Sequence, residues 1–202
     1  MNTLNDLLPV EALAQRLQPP FPLIFLVAPF AASQTMLAFA ARLSIRTPLR
    51  VLDGGNRFNA REVARQLRHL NAPDLYRSLA GIQIRRAFTC YQMTALLEDT
   101  PPSSLPSLVI DLLDTFYDES APLPERHRLA ERCMQLLHNL STLAPTIVSV
   151  RPPEPSRADP TGLLEIVQNG ADLLWLPEEQ VAAPGSKRQP AQPPVPPQMT
   201  LF

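Results

Sequence analysis

The sequence predicts an α/β domain: a mainly parallel sheet with helices on both faces and a β-hairpin at its C-terminal end. Three observations predict it. Short apolar runs such as Pro22-Leu-Ile-Phe-Leu-Val27 carry no polar alternation, as expected of strands covered on both faces. These runs alternate with segments of helical character, the pattern of a parallel sheet wrapped by its own connections. Two further apolar runs flank Asn169-Gly170, a dipeptide suited to a tight hairpin turn.

Residues 1–20 are expected to form an N-terminal helical segment ahead of the domain. The first strand, Leu23 to Val27, leads through a turn into Thr35-Met-Leu-Ala-Phe-Ala-Ala-Arg42, whose residues favour helix. Leu49-Arg-Val-Leu-Asp53 is a second strand. After Gly54-Gly55, Asn59 is placed to cap a helix, and Glu62, three residues on, to complete a capping box. Ile82-Gln-Ile84 is a third strand and Tyr91 to Leu97 the helix after it. Leu105 to Asp111 ends in an acid, Glu125 to Leu143 is a long amphipathic helix, and Thr146 to Val150 is another strand. Leu163 to Gln168 and Asp172 to Leu176 are expected as the two strands of the closing hairpin. The domain therefore spans 21–177. Residues 178–197 are proline-rich without periodicity and read as an extended, disordered linker, and 198–202 as a terminal peptide.

Composition sets the class. Hydrophobic residues make up 45% of the 202, enough for a real core. Proline is the unusual residue: 24 are present, against an average usage of about 5%. No apolar run reaches the roughly 20 residues of a membrane span, and Met1 to Pro20 carries charges and prolines where a signal peptide is apolar. A cytoplasmic, nucleoid-associated protein without a membrane partner is expected. Cys90 and Cys133 suggest neither a disulfide framework nor zinc ligation, and with three histidines no metal site is expected. The net charge of −1 means that any nucleic-acid contact is local.

In such a sheet the turn after the first strand is where a nucleotide phosphate is cradled. That chemistry requires G-x-x-x-x-G-K-[ST]: glycines let backbone N–H groups close on the phosphates, the lysine reaches the outer ones, and the hydroxyl holds magnesium. Here the slot reads Ala28-Pro29-Phe30-Ala31-Ala32-Ser33-Gln34-Thr35, with both glycines and the lysine gone and the hydroxyl of Thr35 kept. Pro29 removes a donor, and Ala28 and Ser33 resist the positive φ that glycine accepts. Leu108-Val109-Ile110-Asp111 has the form of a Walker B strand, whose carboxylate in an active enzyme supports magnesium. Asp111 equally suits the plain end of a buried strand. Asp114, Asp118 and Glu119 read more naturally as a solvated acidic loop than as a metal cluster.

From about Leu23 to Leu176 the chain resembles the RecA/RadA recombinase superfamily, on its archaeal RadA-like side. The resemblance rests on the octet and Asp111, and on four further segments: Val51-Leu52-Asp53-Gly54-Gly55-Asn56-Arg57-Phe58, Arg85-Arg86-Ala87-Phe88-Thr89-Cys90-Tyr91-Gln92, Arg128-Leu129-Ala130-Glu131-Arg132 and Gly170-Ala-Asp-Leu-Leu-Trp175. It implies a RecA-like P-loop core. The departures imply a degenerate one: Gly54-Gly55-Asn56 stands where active relatives carry the glutamate that activates water, and only Pro152 to Pro160 remains of the long DNA-contacting loops. Thr35 and Asp111 are then vestigial Walker A and B positions, with no catalytic residue and no cofactor expected. In that setting the chain resembles ImuA-like accessory proteins, degenerate RecA-like partners of error-prone polymerases, or a recombinase paralogue that modulates an active recombinase, and the sequence does not separate the two.

Gln198-Met-Thr-Leu-Phe202, directly after Pro193-Pro-Val-Pro-Pro197, resembles the peptide by which bacterial repair factors bind the β sliding clamp. Leu201 and Phe202 suit an apolar pocket and Gln198 its polar rim. The linker reaches roughly 60 Å at about 3.1 Å per residue.

Arg61, Arg65 and Arg68 share one face of the helix after Asn59, with Arg57 just before it and Arg85 and Arg86 at a strand end. They are candidate contacts for DNA or an acidic partner, although a solvated face is the commoner role of such a run. His69, His127 and His138 lack partners at catalytic spacing. The expectation is a non-enzymatic RecA-like adaptor of DNA repair, recombination or translesion synthesis, tethered to the sliding clamp, with a recombinase or error-prone polymerase, and DNA, as further candidate partners. The alternative is an atypical nucleotide-binding regulator that keeps Thr35 and Asp111 for a magnesium nucleotide without fast hydrolysis.

Overall fold

Seven parallel strands form one sheet in the computed structural model, which describes residues 3–4, 19–117, 121–152 and 162–175. The strands are β1 (Thr3–Leu4), β2 (Leu23–Val27), β3 (Leu49–Asp53), β4 (Ile82–Arg86), β5 (Ser107–Ile110), β6 (Thr146–Val150) and β7 (Leu173–Trp175). Their order is β1-β7-β2-β6-β5-β3-β4, and every pairing is parallel. The helices are α1 (Ser33–Ser44), α2 (Ala60–His69), α3 (Leu75–Ala80), α4 (Cys90–Glu98), α5 (Leu123–Ser141) and α6 (Leu163–Asn169).

The apolar runs are continuous because both faces of the sheet are covered. Successive strand residues go to opposite cores: Leu23, Phe25, Val27, Leu52, Val109 and Val148 pack toward α4, α5 and α6, while Ile24, Leu26, Val51, Leu108, Ile110 and Ile147 pack toward α1 and α2. Every residue of β2, β3, β5 and β6 is buried, whereas β4, at the edge, is half-buried to exposed. Each buried Leu, Ile, Val or Phe contributes about 1.5–3 kcal/mol.

The caps explain where helices begin. Asn59 accepts from the N–H groups of Arg61 and Glu62, as expected. Glu62 does not complete the capping box; its carboxylate is taken by Arg65 and Gln66 one turn on. Asp74 caps the short α3, an element not expected from the sequence, and Thr89 caps α4.

The expected C-terminal hairpin is corrected. Leu163–Asn169 is a helix, and β7 runs parallel to β2 instead of returning along a partner from that segment. Leu163 and Val167, four residues apart, are both buried, so the run has helical and not strand periodicity, and Gly170 ends the helix instead of turning a hairpin. The expected N-terminal helical segment lies mostly outside the described residues, and Thr3–Leu4 within it is a strand beside β7. The linker 178–197 and the peptide 198–202 lie outside the described residues. No helix among the described residues is long and apolar enough to cross a membrane.

Cys133 is fully buried on α5, and burial pushes its thiol up to about 12 from 9.0. Protonation then favours the folded state below pH 9.0, and that advantage is lost as pH rises toward 12. The thiolate is the reactive form. Ellman's reagent at pH 8 is therefore expected to leave Cys133 unmodified in the native chain and to titrate it in denaturant; prompt native reaction at Cys133 would contradict the burial.

Candidate functional site

The loops after β2, β3, β5 and β6 meet at the carboxyl ends of their strands, the edge at which open parallel sheets bind ligands. The turn after β2 is wound tightly. Phe30, Ala31 and Ala32 take left-handed conformations, with φ of 54°, 52° and 47°. Ala28 is extended and Ser33 is right-handed, so the strain falls on the three middle residues and not on the two the sequence suggested. Left-handed backbone costs roughly 1–2 kcal/mol per L-residue. Several of the turn's amides are already used: Ala28 donates to Val150 O at 3.2 Å, Ala31 to Ala28 O at 3.0 Å, and Ser33 to Phe30 O, while Pro29 has none to give. The Phe30 ring is 74% exposed over this turn, and Thr35 is half-buried in the first turn of α1.

Beside it lies an ionic cluster. Asp53 ends β3 fully buried; its Oδ1 accepts from the Arg57 N–H at 2.9 Å, and its Oδ2 from the Phe58 N–H at 3.0 Å and Arg86 Nε at 3.3 Å. Asp111, directly after β5, is also fully buried, and its Oδ2 accepts from Arg57 Nε at 2.5 Å. Arg151, just after β6, brings Nε to 3.7 Å from the same oxygen and pairs through Nη2 with Asp114. Three carboxylates (Asp53, Asp111, Asp114) thus face three guanidiniums (Arg57, Arg86, Arg151), and their formal charges cancel. Asp111 Oδ1 is buried without a hydrogen-bond partner.

Close approach makes this possible. A Cβ on Gly55 would lie 2.6 Å from both Cβ and Oδ2 of Asp111, and one on Gly54 would lie 2.8 Å from the Asp111 carbonyl oxygen. The Gly54 N–H donates to Ile110 O at 2.8 Å, and the Asp111 N–H donates to Ser149 Oγ at 3.1 Å. The loops after β3, β5 and β6 are therefore stapled together by backbone contact and buried charge.

No family model matches the chain, and no curated protein matches it either. The sequence-derived candidates separate in space. Arg61, Arg65 and Arg68 are exposed on α2, and Arg65 is held by Glu62 through contacts of 2.6 and 2.9 Å. That pairing holds the Glu62 carboxyl below its ordinary range. Arg57 does not join this stripe; it turns inward to Asp111. Arg86 likewise turns to Asp53, whereas Arg85 is half exposed, 3.7 Å from Asp99. Asp114 is committed to Arg151, and among the described residues no group of three potential ligands is placed to hold a metal. Asp118, Glu119, Gln198, Leu201 and Phe202 lie outside the described residues.

Arg151, Asp53 and Arg50 were not among the sequence-derived candidates. A usable signal existed for Arg50 alone: a charged residue inside the apolar run Leu49-Arg-Val-Leu.

Proposed function

We propose that this chain is a non-catalytic RecA-like accessory protein of DNA repair, recombination or translesion synthesis, acting by binding and tethered to the sliding clamp through Gln198, Leu201 and Phe202. The observation that carries the non-catalytic part is the Arg57–Asp111 pair. The carboxylate at the Walker B-like position already holds a guanidinium, a monovalent cation with no open coordination position. A magnesium nucleotide does not fit this residue set: the lysine is replaced by Gln34, part of the loop's amides are turned inward, and Arg57 and Arg151 neutralise Asp111. The strand order supports the RecA-like part, since β6 stands between the strand of the degenerate loop and the strand of Asp111, leaving both at one edge. The adaptor part rests on the terminal peptide and on the likeness to ImuA-like proteins.

Two measurements test this. The intact chain should bind its host's sliding clamp with micromolar or tighter affinity, and removal of residues 198–202 should weaken that binding by at least about a hundredfold, the worth of a small anchored motif. Equal binding by the truncated chain would remove the tether. Equilibrium dialysis with a magnesium nucleotide should give no saturable binding. Saturable binding that Asp111→Ala abolishes would establish the nucleotide-binding regulator instead.

A further inference from the structure

Among the described residues β4 is an outer strand of the sheet, with one strand neighbour, β3, and no strand on its other side. Leu49 donates to Gly81 O, and Ala87 donates to Asp53 O, which sets Gly81 and Ala87 against β3. In a parallel ladder alternate residues bond to opposite sides, so Ile82, Ile84 and Arg86 direct their N–H and C=O groups outward. On the α4 side of this edge, Arg50 and Leu52 of β3 and Gln83 and Arg85 of β4 line a cavity of about 210 Å³ closed by Asp99, Thr100 and Pro101.

Arg50 is the unexpected lining residue. It is 8% exposed, and its guanidinium donates to Pro101 O at 2.6 Å and Leu105 O at 3.1 Å. Its Nε is buried without an acceptor, and no carboxylate among the described residues lies within ion-pairing distance. Desolvation lowers its pKa. A buried charge without a counter-charge is unfavourable, and Leu52, which shares the cavity face of β3 with Arg50, is apolar. Arg85 lines the same cavity half exposed, in a loose contact with the exposed Asp99.

We propose that this edge docks an extended acidic segment of a partner protein, which adds to β4 as a further strand and places a carboxylate side chain between Arg50 and Arg85. The two guanidiniums supply the charge complementarity, and their planar donors suit a carboxylate. Outward N–H and C=O groups supply the ladder, as in other strand additions. The segment alternates: acidic residues face the cavity, and apolar ones lie beside Ile84, which is 40% exposed on the opposite face. A nucleic-acid strand matches the charge but offers no peptide ladder. Exposed Arg85 and Arg86 on β4 would serve to guard the edge against aggregation, but Arg50, buried behind them on β3, adds nothing to such a guard. The inference does not depend on the clamp or on the RecA-like reading.

The test is a titration of the ¹⁵N-labelled full chain with a capped hexapeptide of alternating valine and glutamate. Its glutamine counterpart, oligothymidylate and sodium phosphate serve as separate arms. The glutamate peptide is expected to shift the amides of residues 82–86 and the side-chain N–H signals of Arg50 and Arg85, with a dissociation constant below about 1 mM. Arg50→Met and Arg85→Gln are each expected to weaken it about tenfold, the worth of one charge-assisted contact. Because Arg85 is half exposed, Arg85→Gln keeps the fold and keeps the test decisive if Arg50→Met does not. The proposal is overturned by equal affinity for the glutamine peptide, by undiminished binding to Arg85→Gln, or by an absence of β4 shifts. It is also overturned if oligothymidylate or phosphate reproduces the arginine shifts with the β4 amides unmoved.

Discussion

Asp111→Ala is expected to destabilise the domain by about 3–5 kcal/mol, the cost of removing one partner from a buried ion pair. For a domain of this size that is a fall of roughly 10 °C or more in thermal midpoint. Two losses add. The carboxylate is fully buried and pairs with Arg57 at 2.5 Å, so its removal leaves Arg57 and Arg151 without their shared acceptor. Asp111 also has φ of 53°, a left-handed conformation that aspartate and asparagine tolerate better than alanine does. Asp111→Asn keeps the shape and the backbone tolerance and loses the charge, so it should cost about half as much. Thermal unfolding of the two variants separates these contributions. A midpoint within about 2 °C of the parent for Asp111→Ala would show that the cluster does not hold the loops and that Arg57 has not taken over this carboxylate.

The sheet and its covering helices were legible because their signals are local. Leu23 to Val27 is apolar throughout, Thr146 to Val150 is β-branched at four of five positions, and the two lie side by side in the sheet. Asn59, directly before Ala60, marks the start of its helix and caps it. The C-terminal element was misread because Leu163-Leu-Glu-Ile-Val-Gln-Asn169 is short enough to satisfy either period, and Asn169-Gly170 suits a helix end as well as a hairpin. Only packing decides it: Leu163 and Val167 both join the core formed by α4 and α5. The ionic cluster was hidden for a different reason. Arg57 stands 54 residues from Asp111, and nothing in its surroundings distinguishes it from the exposed arginines of α2. Its inward turn follows from Asp53, which accepts the N–H groups of Arg57 and Phe58 and so bends the loop back over β5. In the sequence Asp53 has the look of a strand end, which it is, and its second task depends on contacts that only the fold creates.

Gly55→Ala should be nearly as damaging as Asp111→Ala, although it adds a single methyl group. The new Cβ would lie 2.6 Å from both Cβ and Oδ2 of Asp111, a separation that real contacts do not show, so one side must move. Asp111 has little room to do so: its Oδ2 is held by Arg57, its N–H by Ser149, and its carbonyl oxygen lies against Gly54. The loop after β3 is equally constrained, since Asp53 anchors it through two backbone N–H groups. Overpacking costs typically 1–3 kcal/mol, and here the displacement also lengthens the Arg57–Asp111 contact, so a loss of about 3 kcal/mol is expected. Gly170→Ala supplies the comparison, because its Cβ also meets an atom at 2.6 Å, but that atom is the terminal methyl of Met134. A methionine tip has other rotamers available and yields cheaply, so Gly170→Ala should stay within about 1 kcal/mol of the parent. If urea denaturation gives the two alanine variants the same midpoint, the approach of Gly55 to Asp111 is not the constraint that seats this carboxylate. If Gly55→Ala alone falls, Gly55 is the residue whose missing side chain lets Arg57 reach Asp111.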